Sequence, residues 1–271
     1  MNQDFAILEL KYGNIYGGFP NFFAVAEISL LVFERRTNKI FLESYINTAD
    51  VDYVSVYSKT DDLGHTISRE REVVNMRTGR PRPYQEDFQH DERGLRWAFK
   101  NLRPVHQNVK RFMWNAMRKY RVETLVVFDG RRDIFLCEKA GVDFYNTNIF
   151  DLQKALNKET DYLFSLNKLS KVINFRLDGS YLRSNNLEYW LHPIAAKQII
   201  PGTAGWDAVR LLMVHNEYEM HHQDFIMKAA LLLNKIQKRK EEQALAAGEE
   251  PPKAPTLGGK EDKKEEKPGK I

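Results

Sequence analysis

The stretch Glu123-Thr124-Leu125-Val126-Val127-Phe128-Asp129-Gly130-Arg131-Arg132-Asp133-Ile134-Phe135-Leu136-Cys137-Glu138-Lys139-Ala140-Gly141 decides the fold. Its first six residues are rich in β-branched, aliphatic and aromatic side chains, the composition of a buried strand, and Asp129-Gly130 is a turn signal. A helix is expected from about Arg131 to Ala140, with Gly141 placed where a helix end needs a left-handed backbone. A strand that turns directly into a helix is the repeating unit of an α/β sheet.

Working outward toward the N-terminus, Phe5-Ala6-Ile7-Leu8-Glu9-Leu10 is an apolar run broken by one carboxylate. Tyr12-Gly13-Asn14 and Gly17-Gly18 supply breakers, so the run reads as a buried strand entering a loop. Residues 22–33, with Glu27 inside, and Ile40-Phe41-Leu42-Glu43-Ser44-Tyr45-Ile46 flank the polar turn Arg35-Arg36-Thr37-Asn38-Lys39 and predict a hairpin. Residues 51–93 carry Arg69, Arg71, Arg77, Arg80 and Arg82 with Pro81 and Pro83 and little apolar periodicity; they are expected to be an extended insertion, part loop and part helix. Leu95 to Tyr120 reads as a helix broken or kinked at Pro104.

Toward the C-terminus, Val142 to Tyr145 is strand-like, and helices are expected around Asp151 to Leu156 and from Leu163 to Ile173. From Trp206 the chain turns strongly helical, as one long helix or two joined near Asn216, ending in the basic cluster Lys235 to Lys240. The order β-β-β-α-β-α-β-α predicts an α/β domain with an antiparallel start and a parallel finish. That domain is expected over residues 1–235, followed by a charged tail at 236–271. Beyond Ala247 the tail is Glu, Lys, Pro and Gly, which cannot offset the entropy of ordering, so it is expected to be disordered.

Composition narrows the function classes. Hydrophobic residues at 42%, with 12% aromatic, support a substantial core in a chain of 271 residues. Cys137 is the single cysteine, which excludes an intramolecular disulfide and a thiolate zinc site, and it is expected to be buried. Basic and acidic residues nearly balance at 41 against 37, which permits a nucleic-acid partner without requiring one. No apolar run reaches 18 residues and the N-terminus lacks a basic-then-apolar leader, so the expectation is a cytoplasmic protein without membrane contact.

An apolar strand holding a carboxylate, a hairpin with an acid in its first arm and later strand-to-helix acids occur here in one order: Glu9, Glu27, Asp133, Asp151, Asp207. This pattern resembles the RNase H-like 3′–5′ exonucleases of the four-acid (DEDD) superfamily, the group that includes RNase T and polymerase-proofreading subunits. The likeness spans roughly residues 4–220. It implies an RNase H-like mixed sheet flanked by helices, with an inserted basic region and a long C-terminal helix.

Where that family's first strand ends in Asp-x-Glu, this chain has Glu9-Leu10-Lys11. The hairpin feature is matched by Ala24-Val25-Ala26-Glu27-Ile28-Ser29-Leu30-Leu31-Val32, the second acid by Asp133, and the third motif by Asp207-Ala208. The family's general base, a His or Tyr a few residues before that last Asp, is replaced by Gly202 and Thr203, neither of which takes a proton from water at neutral pH. Two-metal phosphoryl chemistry needs several carboxylates around two divalent ions. A lysine in place of an acid there swings the electrostatics by roughly 4–16 kcal/mol at about 4 Å.

The resemblance therefore implies a pseudoenzyme: a nucleic-acid-binding, exonuclease-like domain with impaired or absent hydrolysis. Glu9, Asp133 and Asp207 stand at degenerate catalytic positions, and Lys11, paired with one of them, replaces a metal. No cofactor is expected, with Mg²⁺ or Mn²⁺ on Glu9, Asp133 and Asp207 only if the chain is active. Lys11, Arg131 and Arg132 are the candidate nucleic-acid contacts, the two arginines because cations at a helix start call for an anion. A second basic surface could combine Arg69 to Arg82 with Lys110, Arg111, Arg118, Lys119 and Arg121. An active metal-dependent 3′–5′ exonuclease, and a non-enzymatic scaffold meeting a protein partner through the C-terminal helix, remain alternatives. His215, His221 and His222 are not spaced one helical turn apart and read as helix-surface residues, and Trp97, Trp114, Trp190 and Trp206 read as core.

Overall fold

The computed structural model describes residues 4–16, 22–85 and 92–247, without the side chains of 92–99 and 101. The expectations for Gly17-Gly18, the Trp97 side chain and the tail from 248 onward fall outside the described residues. Strand β1 (Phe5–Ile15) organises the sheet. It runs past the expected breaker because a Cβ on Gly13 would sit 2.3 Å from the Val54 carbonyl oxygen and 2.4 Å from the Tyr53 ring. The glycine is there to admit a neighbouring strand, not to end this one.

Along one edge β1 pairs antiparallel with β2 (Phe23–Glu34), which pairs in turn with β3 (Lys39–Ile46), as the hairpin reading required. The other edge is shared. At its end Asn14 and Ile15 pair antiparallel with Val54 and Tyr53 of β4 (Asp52–Thr60), which continues into β5 (Thr66–Asn75) and β6 (Pro81–Pro83). At its start Ala6 and Ile7 pair parallel with Leu125 and Val126 of β7. The described part of that region before α1, residues 51–85, is thus mostly strand rather than loop and helix. Its β4–β5 hairpin is wetted on both faces over most of its length, so no apolar alternation marks it.

Helix α1 (Glu92–Tyr120) continues through Pro104, where a break was expected. Buried Leu102, Val105, Val109, Met113 and Ala116 hold one face of it against the sheet and offset the hydrogen bond that proline removes. Then come β7 (Thr124–Val127), α2 (Arg131–Lys139), β8 (Asn148–Asp151), α3 (Leu152–Thr160) and α4 (Leu166–Val172). At the turn between β7 and α2, Asp129 takes the left-handed conformation at φ 51, and a Cβ on Gly130 would meet Val127 at 2.4 Å. The strand expected at Val142 to Tyr145 lies instead at β8. Val142 N–H closes the end of α2 on the Cys137 carbonyl, and Thr147 N–H closes a turn on Phe144, so those residues cap and turn.

A small sheet of β9 (Arg176–Asp178), β10 (Tyr181–Arg183) and β11 (Glu188–Trp190) precedes α5 (Pro193–Ala196), α6 (Ala204–Met220) and α7 (His222–Ala247). The break between the last two helices falls at His221, not Asn216, whose amide donates to the Tyr189 hydroxyl at 3.1 Å in the interior. The expected boundary at 235 lies inside α7, which is anchored farther on by buried Ile236 and Ala244.

Alternation along β1 assigns the two faces. Ala6, Leu8 and Leu10 join Ile28, Leu30 and Val32 against α1 and α2, with Cys137 buried among them. Phe5 and Ile7 join Leu31 and Phe33 against α3, α4, α6 and α7. Helix α6 is buried on all sides from Ala208 to Glu217, as a central helix must be. Among the described residues no helix is long and apolar enough to cross a membrane.

Candidate functional site

The same alternation that sends Phe5 and Ile7 toward α6 places Glu9 and Lys11 on that face of β1, and Glu27 and Ser29 on that face of β2, with Lys11 directly opposite Glu27. Above them lies the first turn of α6. Thr203 caps it, accepting a hydrogen bond from Trp206 N–H at 3.2 Å. Glu27 accepts from the backbone N–H groups of Ala204 and Gly205, a carboxylate at a helix N-terminus. Burial nevertheless outweighs those bonds and raises its pKa.

Asp207 sits between two cations. Lys11 Nζ lies 2.5 Å from its Oδ2, and Arg210 Nη1 donates to its Oδ1 at 2.9 Å. Arg210 is held in turn by Ser170 Oγ at 2.9 Å and Asn167 Oδ1 at 2.5 Å. Glu9 lies behind this pair. The residue keeps some exposure, but its Oε1 is sealed from solvent and has no hydrogen-bond partner. Burial, then the charges of Asp133 and Asp207, push its carboxyl well above the usual range against the pull of Lys11 and Arg210. Asp133, 8% exposed in the first turn of α2, is pushed up to about 7, chiefly by burial and also by Asp129 and Asp151, against the pull of Lys11 and Arg132.

Glu9, Lys11, Asp133 and Asp207 therefore share one electrostatic neighbourhood. As a metal site the acids do not fit. Both oxygens of Asp207 are taken by cations, and the Lys11 ammonium stands among the carboxylates. Among the described residues no group of three His, Cys, Asp or Glu side chains is placed to hold an ion.

A cleft of about 1220 Å³ opens in front of this cluster. Its charged lining consists of Lys11, Arg71, Arg132 and Arg210 against Glu27 and Asp207, and Tyr12, Phe23, Tyr53, Tyr57 and Trp206 contribute rings. Arg132 lies over Phe23 at 4.5 Å and near Tyr12 at 5.7 Å. Arg131 is exposed beside it. Asp151 caps α3 and accepts from Asp129 N–H at 3.2 Å, a structural position.

The second basic surface is dispersed. Arg71 lines the cleft, whereas Arg77 pairs with Asp50, Arg82 with Asp52 and Lys119 with Glu43. Of the tryptophans, Trp114 and Trp190 are exposed rather than core, and Trp206 lines the cleft. His215 is a core residue, not a surface one. It lies 4.6 Å from the Phe5 ring and 5.7 Å from Phe150, and burial lowers its pKa to about 4.

The proton on Asp133 makes a measurable difference. Its folded pKa is raised, so between the ordinary carboxylate value and about 7 the unfolded chain gives up a proton that the folded chain keeps. This group's contribution to stability falls as pH rises through that window and is flat above it. Asp133→Asn should match wild type near pH 4 and exceed it by about 2–4 kcal/mol at pH 8. Denaturant titrations of both proteins at several pH values test this, because the opposite slope from His215 cancels in the difference. A difference that stays constant with pH would rule it out.

No family model matches the chain. No curated protein matches it either. Among solved structures it is similar to a crystal structure of a full-length 3′-exonuclease, with a TM-score of 0.40 and 11% identity over 81% of this chain and 61% of that one. The chain thus spans less than two thirds of that protein.

Proposed function

We propose that this chain is an exonuclease-like domain that binds single-stranded nucleic acid in the cleft and has lost, or nearly lost, phosphodiester hydrolysis. The observation that carries the reading is the cleft lining, four cations against two acids with aromatic rings on the same walls. A polyanion with stackable bases is the ligand such a surface suits. The strand order β3-β2-β1-β7-β8, antiparallel and then parallel, supports RNase H-like kinship. The cation-filled acid cluster supports the loss of metal-dependent chemistry, because water cannot be activated between ions that have no ligands.

Fluorescence anisotropy with a linear single-stranded oligonucleotide over a salt series tests the binding. Affinity should fall with a log–log slope of about −0.7 per phosphate engaged, and Arg132→Ala should shallow that slope by about 0.7. In Mg²⁺ or Mn²⁺ the bound strand should keep its length. Shortening of the strand would restore the active-exonuclease reading. The scaffold reading has its own observation in Met227 and Leu231, exposed one turn apart on α7. It prevails if no strand binds at low salt.

A further inference from the structure

With Arg71 in the cleft and Arg77, Arg82 and Lys119 paired to acids, what remains of the second basic surface is the solvent side of α1. From Lys100 to Arg121 the chain has no Asp or Glu, although acids and bases nearly balance over the whole sequence. At about 100° per residue, Lys100, Arg103, Lys110, Arg111, Trp114 and Arg118 all fall on the side of the helix away from its buried face. Each of them is exposed. Together they make a straight row about 27 Å long.

Among the described residues no carboxylate pairs with any cation of this row, whereas Lys119, just off it, is held by Glu43. Arg111 donates to the neutral Asn108 Oδ1 at 2.9 Å. Arg118 lies 5.1 Å from the centre of the Trp114 ring, and that indole, 58% exposed, holds the guanidinium on the row. Lys100 and Arg103, three residues apart, repel each other on the helix surface, a cost that an external anion reverses. The row also points away from the cleft. Helix α1 packs on the face of β1 that carries Ala6, Leu8 and Leu10, Lys11 and α6 lie on the other face, and none of the described cleft residues belongs to the row.

From this row of unpaired cations we infer that the outer side of α1 is a second, separate nucleic-acid surface, one that takes the phosphate backbone of a duplex. A straight row on a rigid helix meets a stiff rod of regularly spaced phosphates at several points at once, whereas a flexible single strand has to be straightened along it. A lipid surface is the poorer match: Trp114 is the one large apolar group on the row, and Arg118 covers it. Helix α1 binds in this way whether or not the cleft holds a strand. With both surfaces occupied, the chain carries two nucleic-acid segments with the sheet between them.

The test is fluorescence anisotropy with a short blunt-ended duplex DNA over a salt series. Wild type should bind with a log–log slope of about −0.9 per phosphate engaged. The double variant Arg111→Ala, Arg118→Ala should shallow that slope by about 1.8 and bind on the order of tenfold more weakly at low salt. Lys100→Ala, Arg103→Ala, at the other end of the row, should do the same and serves if the first variant does not fold. Arg176→Ala, Lys197→Ala removes the same charge from exposed positions elsewhere and should leave the slope unchanged. The assignment is overturned if wild type binds no duplex at low salt, if the row variants keep the wild-type slope with their melting transitions intact, or if the control variant loses as much. Binding to anionic phospholipid vesicles without binding to duplex overturns it in favour of a lipid surface. The linear single strand used for the cleft is a separate readout: a protein that binds it but no duplex loses the α1 surface and keeps the cleft, and the reverse result keeps α1 alone.

Discussion

Lys11→Glu is expected to unfold well below wild type without divalent ions and to regain much of the loss in Mn²⁺. The substitution removes the ammonium that contacts Asp207 and faces Glu27, and adds another carboxylate to a group that already contains Glu9, Glu27, Asp133 and Asp207. At about 4 Å each unit pair is worth on the order of 4 kcal/mol at an effective dielectric of 20. Lys11 keeps 36% of its side chain exposed, so screening cuts that figure, and a net loss of about 3–5 kcal/mol is expected. For a domain of this size that is a fall of roughly 10 °C in Tm.

The repulsion that destabilises this variant also makes a cation site. With Lys11 gone, Asp207 Oδ2 is freed beside Glu9 and Asp133, and the acids can then face an ion. A divalent ion at a hundred times its Kd returns about 2.7 kcal/mol. Lys11→Met separates the two effects, since it should lose stability without any response to Mn²⁺. Isothermal calorimetry showing no ion uptake by Lys11→Glu would mean that these carboxylates do not converge closely enough to have lost a metal to the lysine.

Period-two alternation was enough to place Glu9 and Lys11 on one face of a strand, and the strand-turn-helix run was enough to place Asp133 at the mouth of α2. Asp207 was legible because an acid just inside a helix start is a recognisable position. Its second cation, Arg210, was within reach too, since residues three apart on a helix are neighbours. The partners of Glu27 were not legible: they are backbone N–H groups of Ala204 and Gly205, and main-chain amides carry no residue signature. The β4–β5 hairpin escaped detection for a different reason. A hairpin wet on both faces has no apolar periodicity, and its Arg and Glu residues read as a loop until β1 supplies an edge to pair with. His215 and Trp114 exchanged their expected places because α6 is buried all round and α1 is not, a difference set by tertiary packing.

Glu217→Ala should cost about 3–5 kcal/mol, comparable to the loss in Lys11→Glu but with no ion able to restore it. Glu217 is 1% exposed, and among the described residues no cation contacts its carboxylate. It accepts from Ser184 Oγ at 2.6 Å, Asn186 N–H at 2.8 Å and Asn186 Nδ2 at 2.9 Å, so neutral donors alone solvate it. Truncation removes the acceptor of the Asn186 main-chain N–H, leaves Asn186 Nδ2 with Asp224 at 2.8 Å and Ser184 Oγ with the Leu187 carbonyl at 3.4 Å, and opens a void beside α6. Glu217→Gln keeps one accepting oxygen but turns an amide donor toward donors, so it should fall between wild type and Glu217→Ala. Urea unfolding resolves the series, and a loss under about 0.5 kcal/mol for Glu217→Ala would mean water replaces the carboxylate freely. This network ties the loop between β10 and β11 to the last turn of α6, the helix that carries Asp207 and Arg210 toward its other end. If α6 moves as one rigid rod, Glu217→Ala should also weaken strand binding in the cleft without touching a single cleft residue, whereas loss confined to stability would show that the first turn of α6 is held in place by its own local contacts with Glu27, Thr203 and Lys11.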